Sequence, residues 1–241
     1  MVRKSNFKYH RYNNPYWRPF GAGTLGETTM ANQSTTGFGF KAAMRLGNTP
    51  AIQGQSKYQL QTAPGVALMK NDPASIQDAG NQGFILDASF ATTDDGGTGG
   101  ASYTNTGHAK LVGVLNGFFY IDSTTKKPTF ANSVAASQAF GTNPNTNSTN
   151  GFAFVNDDPN QEYMVKADAA VTQANHGTTF NCNNNGGTSK DGQSVVTLDI
   201  DSANVNKMFT VVRSAEDPEN EDLTAAGANI IVTIAKDAKL Y

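Results

Sequence analysis

The side chains that could carry out acid–base or nucleophilic chemistry are few and lie far apart along the chain. The histidines are His10, His108 and His176, and Cys182 is the only cysteine, so no intrachain disulfide can form. The chain has no HxxxH or HxH spacing and no GxSxG motif. A hydrolase would need three or more of His108, His176, Asp and Ser side chains to converge in one cleft. This inventory is poor for catalysis, so the sequence predicts a protein that is not an enzyme.

Two short motifs resemble a dinucleotide-binding site and a calcium-binding loop, but neither motif meets the requirements of its site. Gly21–Gly26 matches GxGxxG, but a dinucleotide site needs a strand before this motif and a helix after it. Asp199 and Asp201 resemble the start of a calcium loop, but the glycine is missing and the twelfth position is Thr210. We therefore predict no cofactor and no metal. Cys182, which lies between two asparagines, is interpreted as an incidental loop thiol.

The charge of the chain is divided unevenly between its two parts. Residues 1–57 contain eight basic residues and one acidic residue, a net charge of +7, and the remaining residues carry a net charge of −9. Such asymmetry indicates a basic arm with an anionic partner and an acidic body. Residues 1–29 also contain six aromatic side chains but no amphipathic period, so alone in water they are expected to be disordered or loosely docked. Met30 could be a second translation start, which would make residues 1–29 an extension.

Three interpretations of this arm follow from its composition. It could lie on an acidic protein surface, remain a solvated tail, or bind nucleic acid through phosphate pairing and base stacking. The acidic body would repel phosphate, which disfavours direct nucleic-acid binding. The favoured hypothesis is a protein surface contacted by Arg3, Lys4, Lys8, Arg11, Tyr16, Trp17 and Arg18.

The composition predicts a mainly β fold. Charged residues make up only 16% of the chain, and Gly, Asn and Thr are abundant, as is typical of many short strands joined by turns. No apolar run approaches the roughly 20 residues of a membrane helix. We expect an antiparallel β-barrel or β-sandwich of about eight strands. The predicted domains are an extended N-terminal arm, residues 1–58, and a β-rich body, residues 59–241.

The longest apolar run lies within residues 110–168, and we expect the body to be organised around this stretch. The run is apolar on both alternating registers, which predicts either one strand buried on both faces or two short strands joined at Asn116–Gly117. Val114, Phe118, Phe119 and Tyr120 are predicted to be largely buried.

Further strands are predicted elsewhere in the body, and one long stretch is predicted to be an exposed segment without strands. Residues 152–155 and 162–168 are expected to be strands, the second half-buried, and others are expected at 83–90, 195–201, 208–212 and 229–234. Residues 172–193, rich in Asn and Gly, are expected to form an exposed excursion.

Several of these segments resemble a family of head-gene proteins common in tailed, especially marine, bacteriophages. LVGVLNGFFYIDSTTKKPTFANS resembles that family's strand followed by a D-x-T-x-K-K-P loop, and FAFVNDDPNQEYMVKAD resembles its V-x-D-D-P turn and following strand. MANQSTTGFGFKAAMRLGN is similar to the family's usual start, and the acidic loop before NIIVTI is similar to its last hairpin. The resemblance spans most of residues 30–235 as short islands. Residues 1–29 and the excursion near residue 183 depart from the pattern.

The resemblance implies a capsid cement or decoration protein without an active site. Such a protein would lie on the capsid exterior of the virion, bind the major capsid protein and stabilise the head, with neighbouring copies of itself as further partners and no membrane. The alternative of another class is a β-sandwich binding module of a virion fibre, or a module that binds host-surface glycans. Exposed Tyr and Trp side chains with Asn-rich loops would suit that alternative.

Overall fold

The chain folds into antiparallel β-sheets. The computed structural model describes residues 32–45, 49–50, 54–76, 83–88, 111–183, 191–200 and 208–240. Within these residues the sheets do not close into a barrel, and the arrangement is sandwich-like, which confirms the predicted mainly β class. No helix of this described part is long and apolar enough to cross a membrane. Helical structure there is limited to two short 3-10 turns, Gln173–Asn175 and Lys236–Ala238.

Fifteen strands are present in the described residues, more than the roughly eight expected, because several are only two to four residues long. In chain order they are β1 (Lys41–Arg45), β2 (Thr49–Pro50), β3 (Ser56–Leu60), β4 (Leu68–Met69), β5 (Pro73–Ile76), β6 (Ile85–Asp87), β7 (Leu111–Ile121), β8 (Pro128–Ala131), β9 (Ser133–Val134), β10 (Gly151–Asn156), β11 (Gln161–Lys166), β12 (Thr179–Asn183), β13 (Thr197–Asp199), β14 (Phe209–Ser214) and β15 (Asn229–Ile234).

Two main sheets contain most of these strands. The first sheet has the order β13-β12-β14-β15-β11-β1-β2, and the second has the order β3-β10-β7-β5-β6, with β8 also paired to β7. A third sheet consists of β4 and β9 alone. Every pairing between these strands is antiparallel, and many join segments distant in sequence, such as β1 with β11 and β3 with β10.

Strand β7 joins the two hydrophobic cores. Leu111 and Val114 pack in the core lined by the first sheet, where Phe40 and Phe209 stack with their ring centroids 4.0 Å apart. The other inward side chains of β7 fill the second core, beneath β4 and β9. These are Val112, Leu115, Phe118 and Tyr120.

The apolar run is therefore one continuous strand, the first of the two predicted alternatives, and not a hairpin at Asn116–Gly117. Its pairing shifts register twice, once against β5 and once against β10 between Phe154 and Val155. Each shift is a β-bulge, which changes the face that the following side chains occupy. This explains why β7 is apolar on both registers. Within β7, position 113 must be glycine, because a Cβ there would lie 2.0 Å from the Asn156 carbonyl oxygen.

Three expectations differ from the structure. Strand β1 and most of β3 fall inside the predicted arm, residues 1–58, yet they pair with β11 and β10 inside the sheets. The predicted excursion, residues 172–193, contains β12, an interior strand of the first sheet. Cys182 is accordingly a core residue, 6% exposed, and not a loop thiol. Each error has the same cause, because long-range backbone pairing can recruit segments whose local composition is polar.

Candidate interaction surface

The residues predicted to contact a protein surface lie outside the described residues. This applies to Arg3, Lys4, Lys8, Arg11, Tyr16, Trp17 and Arg18, and also to the glycines of the GxGxxG motif. The described body, however, presents a candidate surface of its own. It is built on the outer side of the second sheet.

Four neighbouring strands place a row of side chains across this sheet. Phe119 of β7 lies directly opposite Phe130 of β8 on one side and Phe152 of β10 on the other. Phe152 in turn lies opposite Gln59 of β3. Because side chains alternate between the two faces of a strand, Phe119 points outward while its neighbour Phe118 points into the core.

The aromatic rings of this row pack against one another. The centroids of Phe119 and Phe130 are 4.8 Å apart, and those of Phe119 and Phe152 are 6.4 Å apart. The Lys57 ammonium lies 3.6 Å from the centre of the Phe152 ring, within cation–π distance. We call the surface formed by Lys57, Gln59, Phe119, Phe130, Phe152 and Phe154 the aromatic face.

The aromatic face leaves apolar area in contact with solvent. Phe130 is 75% exposed, the largest exposure of any large hydrophobic side chain in the described residues, and Phe119 and Phe152 are only half-buried. The structure thus corrects the prediction for Phe119, whereas Val114, Phe118 and Tyr120 are buried as predicted. Contiguous exposed aromatics ringed by polar groups are typical of binding surfaces, while single exposed hydrophobic residues are not.

Two concave regions adjoin the aromatic face. A depression of about 370 Å³ lies next to Phe130 and Phe154 and reaches Lys70 and Asn116. Lys70 and Asn116 also line a groove of about 420 Å³ that continues between the two main sheets. The aromatic face and the groove therefore form one connected surface.

The groove combines apolar walls with cationic and amide groups. Its described lining includes two lysines, Lys41 and Lys70, and no carboxylate. The aromatic rings of Phe38, Phe40 and Tyr163 supply the apolar part. This combination suits an anionic or amide-rich ligand more than a purely apolar one.

Hydrogen bonds fix the floor of the groove. The Tyr163 hydroxyl donates to the Asn156 carbonyl oxygen at 3.0 Å, and burial, followed by the charges of Asp158 and Asp157, raises the pKa of Tyr163. The Asn156 side chain is 5% exposed, and its Oδ1 has no hydrogen-bond partner. Asn71 holds the opposite wall, because its Nδ2 donates to the Phe38 carbonyl oxygen at 3.1 Å.

The residues that could perform acid–base chemistry form a different, closed cluster. Asp72, Asp87, Cys182 and Ser194 are each 6% exposed or less. Burial raises the pKa of Asp72 to about 6, against the opposing effect of hydrogen bonds from Ser194, Met69 and Asp87. Burial, followed by the charges of Asp87 and Asp72, raises the pKa of the Cys182 thiol, so the thiol stays protonated and is a poor nucleophile.

The position of this cluster suits a structural link between the two main sheets better than a substrate-binding site. Asp72 accepts a hydrogen bond from the Met69 backbone N–H at 2.8 Å, and none of the four residues of the cluster is among those that line the groove or the depression. His176 lies elsewhere, with its Nδ1 3.2 Å from the Thr172 carbonyl oxygen, while His10 and His108 lie outside the described residues. In the part of the chain that the structure describes, no group of three or more His, Cys, Asp or Glu could hold a metal ion.

The aromatic face was not predicted from the sequence, although a signal for it was present. Phe152 and Phe154 alternate with small or apolar residues, and Phe130 follows a turn, as in strands with one solvated face. The sequence did not reveal that β8, β7 and β10 pair in a register that aligns Phe130, Phe119 and Phe152.

Comparison of the chain with models of protein families, with curated proteins and with solved structures found no match. The function of the aromatic face and the groove is therefore argued from their own residues.

Proposed function

We propose that the chain is a non-enzymatic structural protein of a phage virion, a capsid cement or decoration protein. In this proposal it binds the outer surface of the major capsid protein lattice and stabilises the head. The observation that carries the proposal is the aromatic face, with Phe130 75% exposed on the outer side of the second sheet. The resemblance of the central strand and its turns to phage head proteins supports it.

The chemistry of the aromatic face suits attachment to a protein surface. Aromatic side chains and Arg are the residue types most enriched at the buried centres of protein interfaces, while Lys is more common at their rims. Phe130 would lose exposed apolar area on docking, and Lys57, already positioned over Phe152, would meet carboxylates at the rim of the contact. The aromatics would slow dissociation and the charges would speed the encounter.

The basic arm is the second proposed contact. Deletion of residues 2–29 is expected to leave a folded body that binds expanded empty heads much more weakly. Trp17→Ala should mainly raise the off-rate, because a buried aromatic mainly slows dissociation. Replacement of Arg3, Lys4, Lys8 and Arg11 by Gln should mainly lower the on-rate and reduce its salt dependence.

A stoichiometric mass-spectrometric inventory of purified virions tests the proposal most directly. A cement protein should be present at a copy number comparable to that of the capsid protein. A copy number far lower, as for a fibre, or absence from the virion would contradict the proposal.

Re-binding of purified variants to heads stripped of this protein separates the two contacts. Phe130→Ser, the deletion of residues 2–29 and the combination of both are compared with the unaltered chain. Weaker binding from both single changes would support a body contact and an arm contact. Unchanged binding in the combined variant would contradict both.

The groove favours one alternative of a different class. Asn71, Asn116, Asn156 and Gln193 surround it together with aromatic rings, and amide groups beside aromatic rings suit the hydroxyl groups and ring faces of sugars. The alternative is therefore a module that binds a host-surface glycan or belongs to a virion fibre. A glycan array with the purified chain, compared with Asn116→Ala, distinguishes it from a cement protein, for which no sugar should bind.

A further inference from the structure

Lys166 is a buried lysine on the outer side of the first sheet and is not itself among the residues that line the groove. It is 4% exposed and pairs across the strands with Asn229. Its Nζ lies 3.1 Å from the Asn220 Oδ1 and 3.1 Å from the Gly227 carbonyl oxygen. The ring of Phe38 lies 5.9 Å from the same nitrogen. Lysine is rarely buried this deeply without a specific partner.

The carboxamide of Asn220 lies between an amine and a carboxylate. Its oxygen faces Lys166, while its Nδ2 donates to the Asp217 Oδ2 at 3.3 Å. Asp217 is held in place by a second amide, because Asn229 Nδ2 donates to the same oxygen at 2.6 Å. Backbone bonds fix the loop, including one from the Asn229 N–H to the Asn220 carbonyl oxygen at 2.8 Å. The amine is thus in hydrogen-bond contact with the acyl group, and the carboxylate contacts the amide nitrogen that would leave.

We propose that Lys166 and Asn220 form an intramolecular isopeptide bond, with Asp217 transferring the proton. The lone pair of the deprotonated Lys166 Nζ adds to the Asn220 Cγ, and the bond between Cγ and Nδ2 breaks. In the tetrahedral adduct, before this bond breaks, both nitrogens are bonded to Cγ. Asp217, which already contacts Nδ2, takes the extra proton from Nζ and delivers it to Nδ2, which leaves as ammonia. One amide replaces another, nothing is oxidised or reduced, and no co-reactant is needed.

The environment favours this reaction for two physical reasons. Burial lowers the pKa of Lys166, although the charge of Asp217 opposes this effect, so the neutral amine is easier to reach than in water. The two reacting groups are also held together by the fold, which removes the entropic cost of their encounter. Hydrogen bonds, above all the one from the Glu219 backbone N–H, lower the pKa of Asp217, so its carboxylate is ionised and acts as a weak base that only relays the proton between the two nitrogens.

The bond would lock β11 to the connection between β14 and β15. It would close a covalent ring that contains β12, β13 and β14. With one cysteine, the chain cannot form an intrachain disulfide, and an amide cross-link would resist reduction. The inference does not depend on a role in the capsid.

Mass spectrometry of the intact, denatured, full-length protein tests the proposal. The unaltered chain is expected to be lighter than its sequence by one ammonia. Trypsin should fail to cleave after Lys166, and the peptide that contains Lys166 should be joined to the one that contains Asn220. Asn220→Ala and Lys166→Arg should each have the full sequence mass and lack the joined peptide.

Two further variants separate the reaction from simple packing. Asp217→Ala should reduce the fraction of cross-linked protein at least tenfold in protein that remains folded by circular dichroism. Asn32→Ala is the matched control, because Asn32 anchors the same loop through the Asp222 carbonyl oxygen at 2.9 Å but carries no reacting group. It should retain the cross-link.

Two results on the unaltered chain would overturn the proposal without any variant. One is the full sequence mass with normal cleavage after Lys166. The other is loss of ammonia with Lys166 still cleaved, which would place the loss at another asparagine, such as one that precedes a glycine.

Discussion

The two faces of the second sheet give similar side chains opposite roles. Phe118 and Phe119 are adjacent on β7, yet Phe118 is 1% exposed in the core and Phe119 lies half-buried beside Phe130 on the outer side. The inner ring is surrounded by other side chains, so it contributes to stability. In the outer row Phe130 is 75% exposed, so apolar surface remains that a partner could bury.

The same contrast holds for polar groups. Inside, the carboxyl groups of Asp72 and Asp87 are sealed from water at 2% and 1% exposure. Outside, the Lys57 ammonium lies over an aromatic ring and remains exposed. Interior polar groups must therefore influence folding, and exterior ones are available for contacts.

Loss of an inner ring should have the largest effect. Phe118→Ala removes a fully buried aromatic from the second core, and we expect unfolding to become easier by roughly 3–5 kcal/mol. Urea unfolding of the purified variant measures this change. A loss below about 1 kcal/mol would contradict the placement of Phe118 in the core.

The buried carboxyl cluster should make stability fall as pH rises. Burial raises the pKa of Asp72 from 3.8 to about 6, so between these values the folded state binds more protons than the unfolded state. A shift of this size corresponds to about 3 kcal/mol, present below pH 4 and lost as the pH rises through 6. Urea unfolding across this range measures it.

The variant Asp72→Asn serves as the control for the pH experiment, because Asn resembles the protonated carboxyl and does not titrate. Its stability should be flatter between pH 4 and 6 than that of the unaltered chain. Asp122, Asp217 and Asp222 have pKa values lowered by hydrogen bonds, so their stabilising effect is lost only at lower pH. Equal slopes for the two proteins would contradict the proposed ionisation of Asp72.

An outer ring should matter little for folding. Phe130→Ala is expected to change the free energy of unfolding by less than about 1 kcal/mol, since the side chain has little area to lose from burial. Its binding to stripped heads should nevertheless weaken by roughly tenfold or more if the ring is an interface anchor. A large stability loss with unchanged binding would reverse the assigned roles of the two faces.

The smallest effect is expected at Cys182. The thiol is 6% exposed and its pKa is raised by burial, so an aromatic disulfide reagent should not label it in the folded protein at neutral pH. Labelling should appear only as urea unfolds the chain, with the same midpoint as the loss of circular dichroism. Rapid labelling without urea would show that β12 opens easily.

Much of the body could be predicted because its strands carry local signals. The apolar run of β7, the alternation in β11 and the β-branched β15 each lie where the sequence placed a strand. Strand β11 was nevertheless expected to be half-buried and is buried on nearly all its positions. Alternation in sequence shows that two faces differ in polarity, but it does not show what covers each face.

The sequence by itself determined the mainly β class, the lack of an intrachain disulfide and the residues available for chemistry, because these follow from composition and local pattern. Tertiary structure alone decided which side of β7 faces solvent, since two register shifts change the face along the strand. It also decided that Cys182 is buried and that Lys166 meets Asn220, 54 positions further along the chain. Such contacts depend on long-range antiparallel pairing, in which a shift of one residue moves a side chain to the opposite face.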